Sequence, residues 1–262
     1  MSDQYTLKQV EILGGVLEYI CIPGEKDLPT LVMLHEGLGS ISTWKEFPKQ
    51  ISNIIHNPIL LYSRHGYGSS SFIKQRFCSS YMHDEALKVL PALISRLKLS
   101  RVILYGHSDG ASIAAIFAGS KPTAIIEAVI LEAPHVFVEE ISIEGIEMAK
   151  LAFENGKLKR GLKKHHDDPD RTFKNWSETW LEPTFLNWNI RDYVRNISAP
   201  VLLIQGENDV YGSLKQLSAI ESDLKVDCSR LVLGSTGHSP HKEQPERVLH
   251  CLLYTSPSPR DS

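Results

Sequence analysis

Tyr105-Gly106-His107-Ser108-Asp109-Gly110-Ala111-Ser112-Ile113-Ala114 is the stretch on which the reading of this chain turns. An apolar run, Arg101-Val-Ile-Leu-Tyr105, leads into it, and small residues continue to Ala118. Strand, G-x-S-x-G turn and small-residue helix together make the context of a nucleophile elbow. So tight a turn forces Ser108 into a strained backbone conformation. Gly106 and Gly110 remove the side chains that would collide across it. The hydroxyl is thereby presented at a helix N-terminus, whose dipole favours a developing oxyanion.

Working outward, Thr30–Leu34, Ile59–Tyr62, Ile125–Leu131, Val201–Ile204 and Arg230–Leu233 are further short apolar runs of the kind found in buried parallel strands. Lys8–Ile22 reads as a hairpin folded at Gly14-Gly15. Helical spacing marks Trp44–Ile55, with Pro48 in its first turn or kinking it, and Tyr81–Leu99, with Leu87, Leu90, Ile94 and Leu97 on one face. A last helix is expected over Gln244–Leu253. Strands alternating with helices predict an α/β fold, a mostly parallel sheet covered by helices on both faces. Val136–Arg195 breaks the alternation with helical patterns over Val138–Glu154, Lys157–His165 and Thr172–Leu181 and many aromatic residues. We read residues 1–135 and 196–253 as the core and 136–195 as a helical cap over the crevice at the strands' carboxyl ends.

A serine hydroxyl attacks only when a base removes its proton, so a histidine and an orienting acid are required. In this arrangement the chain order is Ser, acid, His. Gln205-Gly-Glu-Asn-Asp209 follows one strand and Gly234-Ser-Thr-Gly-His238 follows another. Asp209 is the expected acid and His238 the base that serves Ser108. Glu207 and Glu132 are reserve acids. His241 is the reserve base, although its place at a helix entry favours capping or the surface, and His107 should point away from the nucleophile. The oxyanion donors expected are the N–H of Asp109 and, from the His35-Glu-Gly-Leu-Gly39 turn, that of Gly37 or, second, Leu38.

The elbow, the His35-Glu-Gly-Leu-Gly turn, the Arg64-His-Gly-Tyr-Gly-Ser-Ser70 loop and the Gly-His-Ser-Pro-His241 loop resemble those of the α/β-hydrolase superfamily. The resemblance covers about Lys8 to Leu253 and is close to the capped esterase, lactonase and carbon–carbon hydrolase branch. It implies a parallel core sheet with the cap inserted after the sixth strand. Glu36 stands where the family turn usually has Gly. Ser63 and His65, with Arg64 between them, replace the family's usual Asp and Arg, and Asp109 stands where many carbon–carbon hydrolases have Met. Glu36, Arg64 and His65, with Trp176 and Trp180 of the cap, are therefore candidate pocket residues. A serine at position 108 argues against the branches that use an Asp nucleophile.

The 262 residues are 42% hydrophobic and 23% charged, as in ordinary soluble globular proteins. A net charge of −3 offers no footprint for nucleic acid or an acidic membrane, which leaves a small-molecule substrate as the expected partner. Four widely spaced cysteines predict unpaired, buried thiols in a reducing compartment. The 11 histidines are scattered, so neither a metal nor a cofactor is expected. Met1–Val10 carries no apolar signal region, and no run approaches the roughly 20 residues of a membrane span. The expected location is the cytoplasm. Residues 254–262, Pro- and Ser-rich, resemble a translated adaptor and are expected to be a non-native or disordered tail that truncates the last helix near Leu253. The reaction expected is hydrolysis of a small to medium carboxylic ester or lactone through an acyl-Ser108 intermediate. Cleavage of a carbon–carbon bond beside a carbonyl is the alternative chemistry, and a ligand sensor on the same fold the alternative from another class.

Overall fold

Alternate side chains along the central strands feed two separate hydrophobic cores, and this explains the layering. Val32, Leu34, Val102, Leu104, Val129, Leu131, Val201 and Leu203 face one core, while Leu31, Met33, Ile103, Tyr105, Ile130, Leu202 and Ile204 face the other. A strand whose successive residues point to opposite faces can be apolar throughout only if both faces are covered. The computed structural model describes residues 5–73 and 77–255.

In chain order the core elements are β1 (Lys8–Ile12), β2 (Gly15–Ile22), β3 (Thr30–Leu34), α1 (Phe47–Ile55), β4 (Ile59–Tyr62), α2 (Tyr81–Asp84), α3 (Leu90–Arg96), β5 (Arg101–His107), α4 (Asp109–Gly119) and β6 (Ile125–Glu132). A helical segment follows, with α5 (Glu140–Glu154), α6 (Lys157–Leu162), α7 (Pro169–Trp180) and α8 (Arg191–Val194). The chain then returns through β7 (Val201–Gly206), α9 (Lys215–Asp223), β8 (Cys228–Leu233), α10 (Pro240–Glu243) and α11 (Pro245–Thr255). The sheet order is β1-β2-β4-β3-β5-β6-β7-β8. β2 pairs antiparallel with β1 and β4, and the remaining neighbours are parallel. Helices α2 to α4, α8 and α9 contribute to one core, and α1 and α11 to the other.

The register places the site. Leu34 lies beside Gly106, His107 beside Glu132, and Gly206 beside Leu233, so the carboxyl ends of these strands share one edge. After β3 the chain adds β4 on one side and β5 on the other. Such a reversal opens a crevice beyond the strand ends, here between β3 and β5.

Several local expectations are corrected. Leu87 is 39% exposed, and the buried stripe is Met82, Ala86, Val89, Leu90, Leu93 and Ile94. Glu85–Val89 is a widened π turn between α2 and α3. Pro91 cannot donate to the Leu87 carbonyl, and the wide turn shifts the helical phase before it. The segment expected as one helix from Trp44 is a short 3₁₀ turn, Ile41–Trp44, then α1, which carries Pro48 in its first turn. Cys21, Cys78 and Cys228 carry free thiols, as expected, but the four cysteines are not buried: Cys21 and Cys228 are exposed, Cys78 and Cys251 half-buried. Cys21 lies past the last residue of β2 that pairs with β1, and Cys228 begins the edge strand β8, so neither is covered. α11 continues two residues beyond Leu253, and residues 256–262 of the expected tail lie outside the described residues. Among the described residues no helix is long and apolar enough to cross a membrane.

Candidate active site

Ser108 sits between β5 and α4 with φ 55° and ψ −119°, a backbone conformation that L side chains rarely adopt. Two close approaches make the strain possible. A side chain at Gly106 would strike the Gly110 carbonyl, and one at Gly110 would strike the Leu34 carbonyl. The Ser108 N–H donates to the Glu132 carbonyl at 2.8 Å, which ties the elbow to the end of β6.

The loop after β8 brings His238 over this hydroxyl, with Nε2 2.8 Å from Ser108 Oγ. Its Nδ1 is 2.8 Å from both oxygens of Asp209, in the loop after β7. Burial works against the charge on Asp209, but His238 and the Tyr211 N–H (2.9 Å) outweigh it and hold the carboxyl below its ordinary value. An ionised carboxylate only accepts hydrogen bonds, so Nδ1 carries the proton and Nε2 presents its lone pair to the hydroxyl. The structure thus brings together the three residues drawn from three strand ends in the sequence.

Facing Ser108 is the turn after β3, closed by the Gly39 N–H donating to Glu36 O at 3.0 Å. Two imidazoles brace this turn against the 64–68 loop. His35 Nε2 accepts from the Arg64 N–H at 3.1 Å, so Nδ1–H donates to Glu36 O at 2.8 Å. His166, from the helical segment, repeats the device: Nδ1 accepts from the Gly68 N–H at 2.9 Å, and Nε2–H donates to Leu38 O at 2.9 Å. Burial lowers the pKa of both, which keeps the neutral form that each bridge requires. Gly37, Leu38 and Asp109 all line the cavity at Ser108. The Asp109 N–H belongs to the first turn of α4, where amides have no intrahelical partner.

The cavity of about 100 Å³ is also lined by Glu36, Trp176 and Trp180. Arg64 and His65 do not line it. They lie on a separate cavity with Tyr67, Phe77 and Tyr81, because the loop after β4 turns His65 back toward Gly15 and Ser71. Arg64 instead acts from behind the wall. Its Nη2 donates to Glu36 O at 2.9 Å and lies 3.8 Å from Asp109 Oδ2. Asp109 accepts from Tyr81 Oη–H at 2.5 Å, which in turn accepts from Trp180 Nε1–H at 2.9 Å. Burial raises the Asp109 pKa, opposed by Arg64. Sequence reasoning missed His135, Ser142, Ile146 and Tyr211, which complete the lining. His135 stands three residues past β6, a strand-end position like that of Asp209, and that signal could have found it. Burial drives its pKa down to about 4.

Behind the elbow, His107 does point away from Ser108, and its Nε2–H donates to the His238 carbonyl at 2.7 Å. Its Nδ1 lies 3.6 Å from Glu36, which also contacts Lys242 at 3.1 Å. Burial opposes the charge on Glu36, but Lys242 and His107 hold its carboxyl well below the usual range. The reserve pair also meets here. His241 Nδ1 is 2.7 Å from Glu132 Oε1, while Tyr105 donates to Oε2. His241 is therefore neither base nor surface residue; it is buried against Glu132. Glu207 is exposed and joins neither pair. His107, Glu132 and His241 each bring one ligand atom within 4.8 Å of the others. Both Glu132 oxygens already accept hydrogen bonds, from His241 and Tyr105.

A family model described as the α/β-hydrolase fold matches residues 29–195. A Haemophilus influenzae protein named "Putative esterase/lipase" is 22% identical over 272 residues, covering 96% of this chain and 92% of its own. Among solved structures, a bacterial membrane phospholipase A superposes with TM-score 0.78 at 18% identity, covering 95% of this chain and 85% of its own. A meta-cleavage product hydrolase from Pseudomonas fluorescens does so with TM-score 0.75 at 13% identity, over 94% and 96% of the two chains. The sheet order, the strained serine between β5 and α4 and the matched family model agree: this chain belongs to the α/β-hydrolase fold family.

Proposed function

We propose that the protein is a serine hydrolase that cleaves a carboxylic ester or lactone, with Ser108 as nucleophile, His238 as base and Asp209 as orienting acid. The observation that carries this reading is the aligned contact series, Ser108 Oγ to His238 Nε2 at 2.8 Å and His238 Nδ1 to Asp209 at 2.8 Å. Ser108 Oγ attacks the acyl carbon while His238 Nε2 takes its proton. The carbonyl oxygen becomes an oxyanion facing the Asp109 N–H and that of Gly37 or Leu38. As the tetrahedral species collapses, the C–O bond to the alcohol breaks and His238 returns the proton to the departing oxygen. Water, deprotonated by His238, then releases the acid from acyl-Ser108. The helical segment 136–195 serves as a cap that contributes Trp176 and Trp180 to the cavity wall. The name of the Haemophilus influenzae relative supports an ester over a carbon–carbon substrate. The test is a panel of chain-length-graded aryl esters, lactones and a vinylogous diketone, run on wild type and Ser108→Ala. Turnover of the esters or lactones that Ser108→Ala abolishes is expected; full activity in the variant sinks the reading, and turnover of the diketone alone moves it to carbon–carbon cleavage.

A further inference from the structure

The Glu36 carbonyl is held by more donors than the turn itself supplies. The Gly39 N–H closes the turn onto it at 3.0 Å, His35 Nδ1–H reaches it at 2.8 Å and Arg64 Nη2–H at 2.9 Å. Both side chains are buried, His35 at 0% and Arg64 at 2% exposure. Arg64 is aimed at this oxygen more closely than at any carboxylate. Its ion pair with Asp109 is 3.8 Å long, beyond hydrogen-bond reach, and the Tyr67 ring lies 4.4 Å from its guanidinium carbon. A buried cation is costly unless its surroundings answer it. Here its shortest contact is a peptide oxygen, so its charge bears on that peptide.

The peptide concerned joins Glu36 to Gly37 and is trans. In a planar trans peptide the N–H points away from the carbonyl, so the Gly37 N–H lies on the side opposite Arg64 and His35. Gly37 lines the cavity at Ser108 and neither Arg64 nor His35 does, so that side is the cavity side. The peptide is also pressed from the front, since any side chain at Gly37 would strike the Trp176 indole. Hydrogen bonds to a carbonyl draw electron density from the amide nitrogen and strengthen its N–H as a donor, by roughly 10–30% per bond. A charged donor adds more than a neutral one. Asp109, whose N–H is the other expected donor, is the ion-pair partner of the same guanidinium. One cation therefore stands behind both donors, and it offsets a carboxylate that would oppose an oxyanion.

We propose that Arg64 is a positioning residue of the oxyanion hole: it holds and polarises the Glu36–Gly37 peptide from behind, which makes the Gly37 N–H the second oxyanion donor. This rests on the reading of Ser108 as the nucleophile and goes beyond it by assigning the donor and the group that activates it.

The experiment measures 4-nitrophenyl acetate hydrolysis and inhibition by two ketones on wild type, Arg64→Met and the double variant Arg64→Met/Asp109→Asn. 2-Pentanone binds as a neutral carbonyl, whereas Ser108 Oγ adds to 1,1,1-trifluoro-2-pentanone and gives a tetrahedral oxyanion. Arg64→Met should lower kcat by about 10–100-fold, less than outright removal of a donor costs, with KM within about threefold. The Ki ratio of 2-pentanone to the trifluoro ketone should fall by a similar factor, because only the second inhibitor carries the oxyanion. Each Ki is independent of the folded fraction of the preparation. The double variant leaves no unpaired carboxylate at position 109, so it folds on its own terms and decides the question if the single variant does not fold. Its Ki ratio should stay as low as that of Arg64→Met. A return to the wild-type ratio overturns the proposal, since Arg64 then serves only to neutralise Asp109. A fall in kcat with an unchanged Ki ratio overturns it as well, and makes Arg64 a packing residue. Those outcomes leave Ser108-dependent hydrolysis intact. Full activity in Ser108→Ala, with equal inhibition of wild type by the two ketones, marks failure of the underlying reading instead.

Discussion

Two histidines three residues apart in the chain, His238 and His241, each pair with a carboxylate, and only one pair has the geometry of a catalytic pair. His238 Nδ1 meets Asp209 at 2.8 Å and His241 Nδ1 meets Glu132 at 2.7 Å. Both acids come from the carboxyl end of a central strand. The difference is at the other ring nitrogen. His238 Nε2 faces the Ser108 hydroxyl from a partly exposed side chain, whereas His241 Nε2 is buried, with no hydrogen-bond partner among the described residues, beside the Trp44 and Phe47 rings. Burial lowers the His241 pKa, and Glu132 opposes the shift. Burial also works against the charge on Glu132, but the positive charge and hydrogen bond of His241, the charge of His107 and the Tyr105 hydrogen bond outweigh it and bring its pKa to about 2. A histidine beside an acid is thus a structural strut until a nucleophile and open space meet its second nitrogen.

The contrast can be broken by substitution. Asp209→Asn should reduce kcat by about 10⁴-fold, because the amide favours the wrong tautomer of His238. Glu132→Gln should leave kcat on an ester within about tenfold of wild type. Equal kinetic losses in the two variants would erase the distinction between the pairs. Glu132→Gln should instead lower unfolding stability by about 1–3 kcal/mol in a denaturant titration, since an amide N–H₂ then faces buried donors.

A pH series sharpens the same point. Glu132 has a folded-state pKa depressed from 4.5 to about 2, so its contribution to stability is present above the unfolded value. That contribution is lost as pH falls from about 4.5 toward 2. Wild type should lose stability more steeply than Glu132→Gln across this window, measured by equilibrium unfolding. Parallel slopes would place the acid sensitivity elsewhere.

The smallest expected effect concerns the turn facing Ser108. His166→Leu removes the bridge from Gly68 N–H to Leu38 O and should lower kcat about tenfold with KM little changed. His166→Gln, which can both donate and accept, should recover part of the loss. A change confined to KM, or one that tracks melting temperature across both variants, would show that His166 only holds the helical segment in place.

Much of the site was legible before any coordinates. The meeting of Ser108, Asp209 and His238 was legible because each follows an apolar strand, and parallel strands in register deliver their following loops to one edge. The same logic passed over His135, which occupies an equivalent place after β6 but sits outside any motif. Arg64 and His65 were assigned to the pocket from their loop alone. The direction in which that loop turns after β4 depends on its packing against Gly15, which no local pattern records. Leu87 failed for a related reason: helical periodicity assumes a constant turn, and the wide turn before Pro91 breaks the phase.

What the sequence by itself determined is the α/β alternation, the strained elbow and the order of the three residues, because apolar period, glycine placement and strand ends are local properties. Only the tertiary structure decided which histidine–acid pair meets the serine and which residues enclose the cavity. Those outcomes depend on distances between segments far apart in the chain, 131 residues in the case of His107 and His238, and packing sets such distances through space with no trace in local composition.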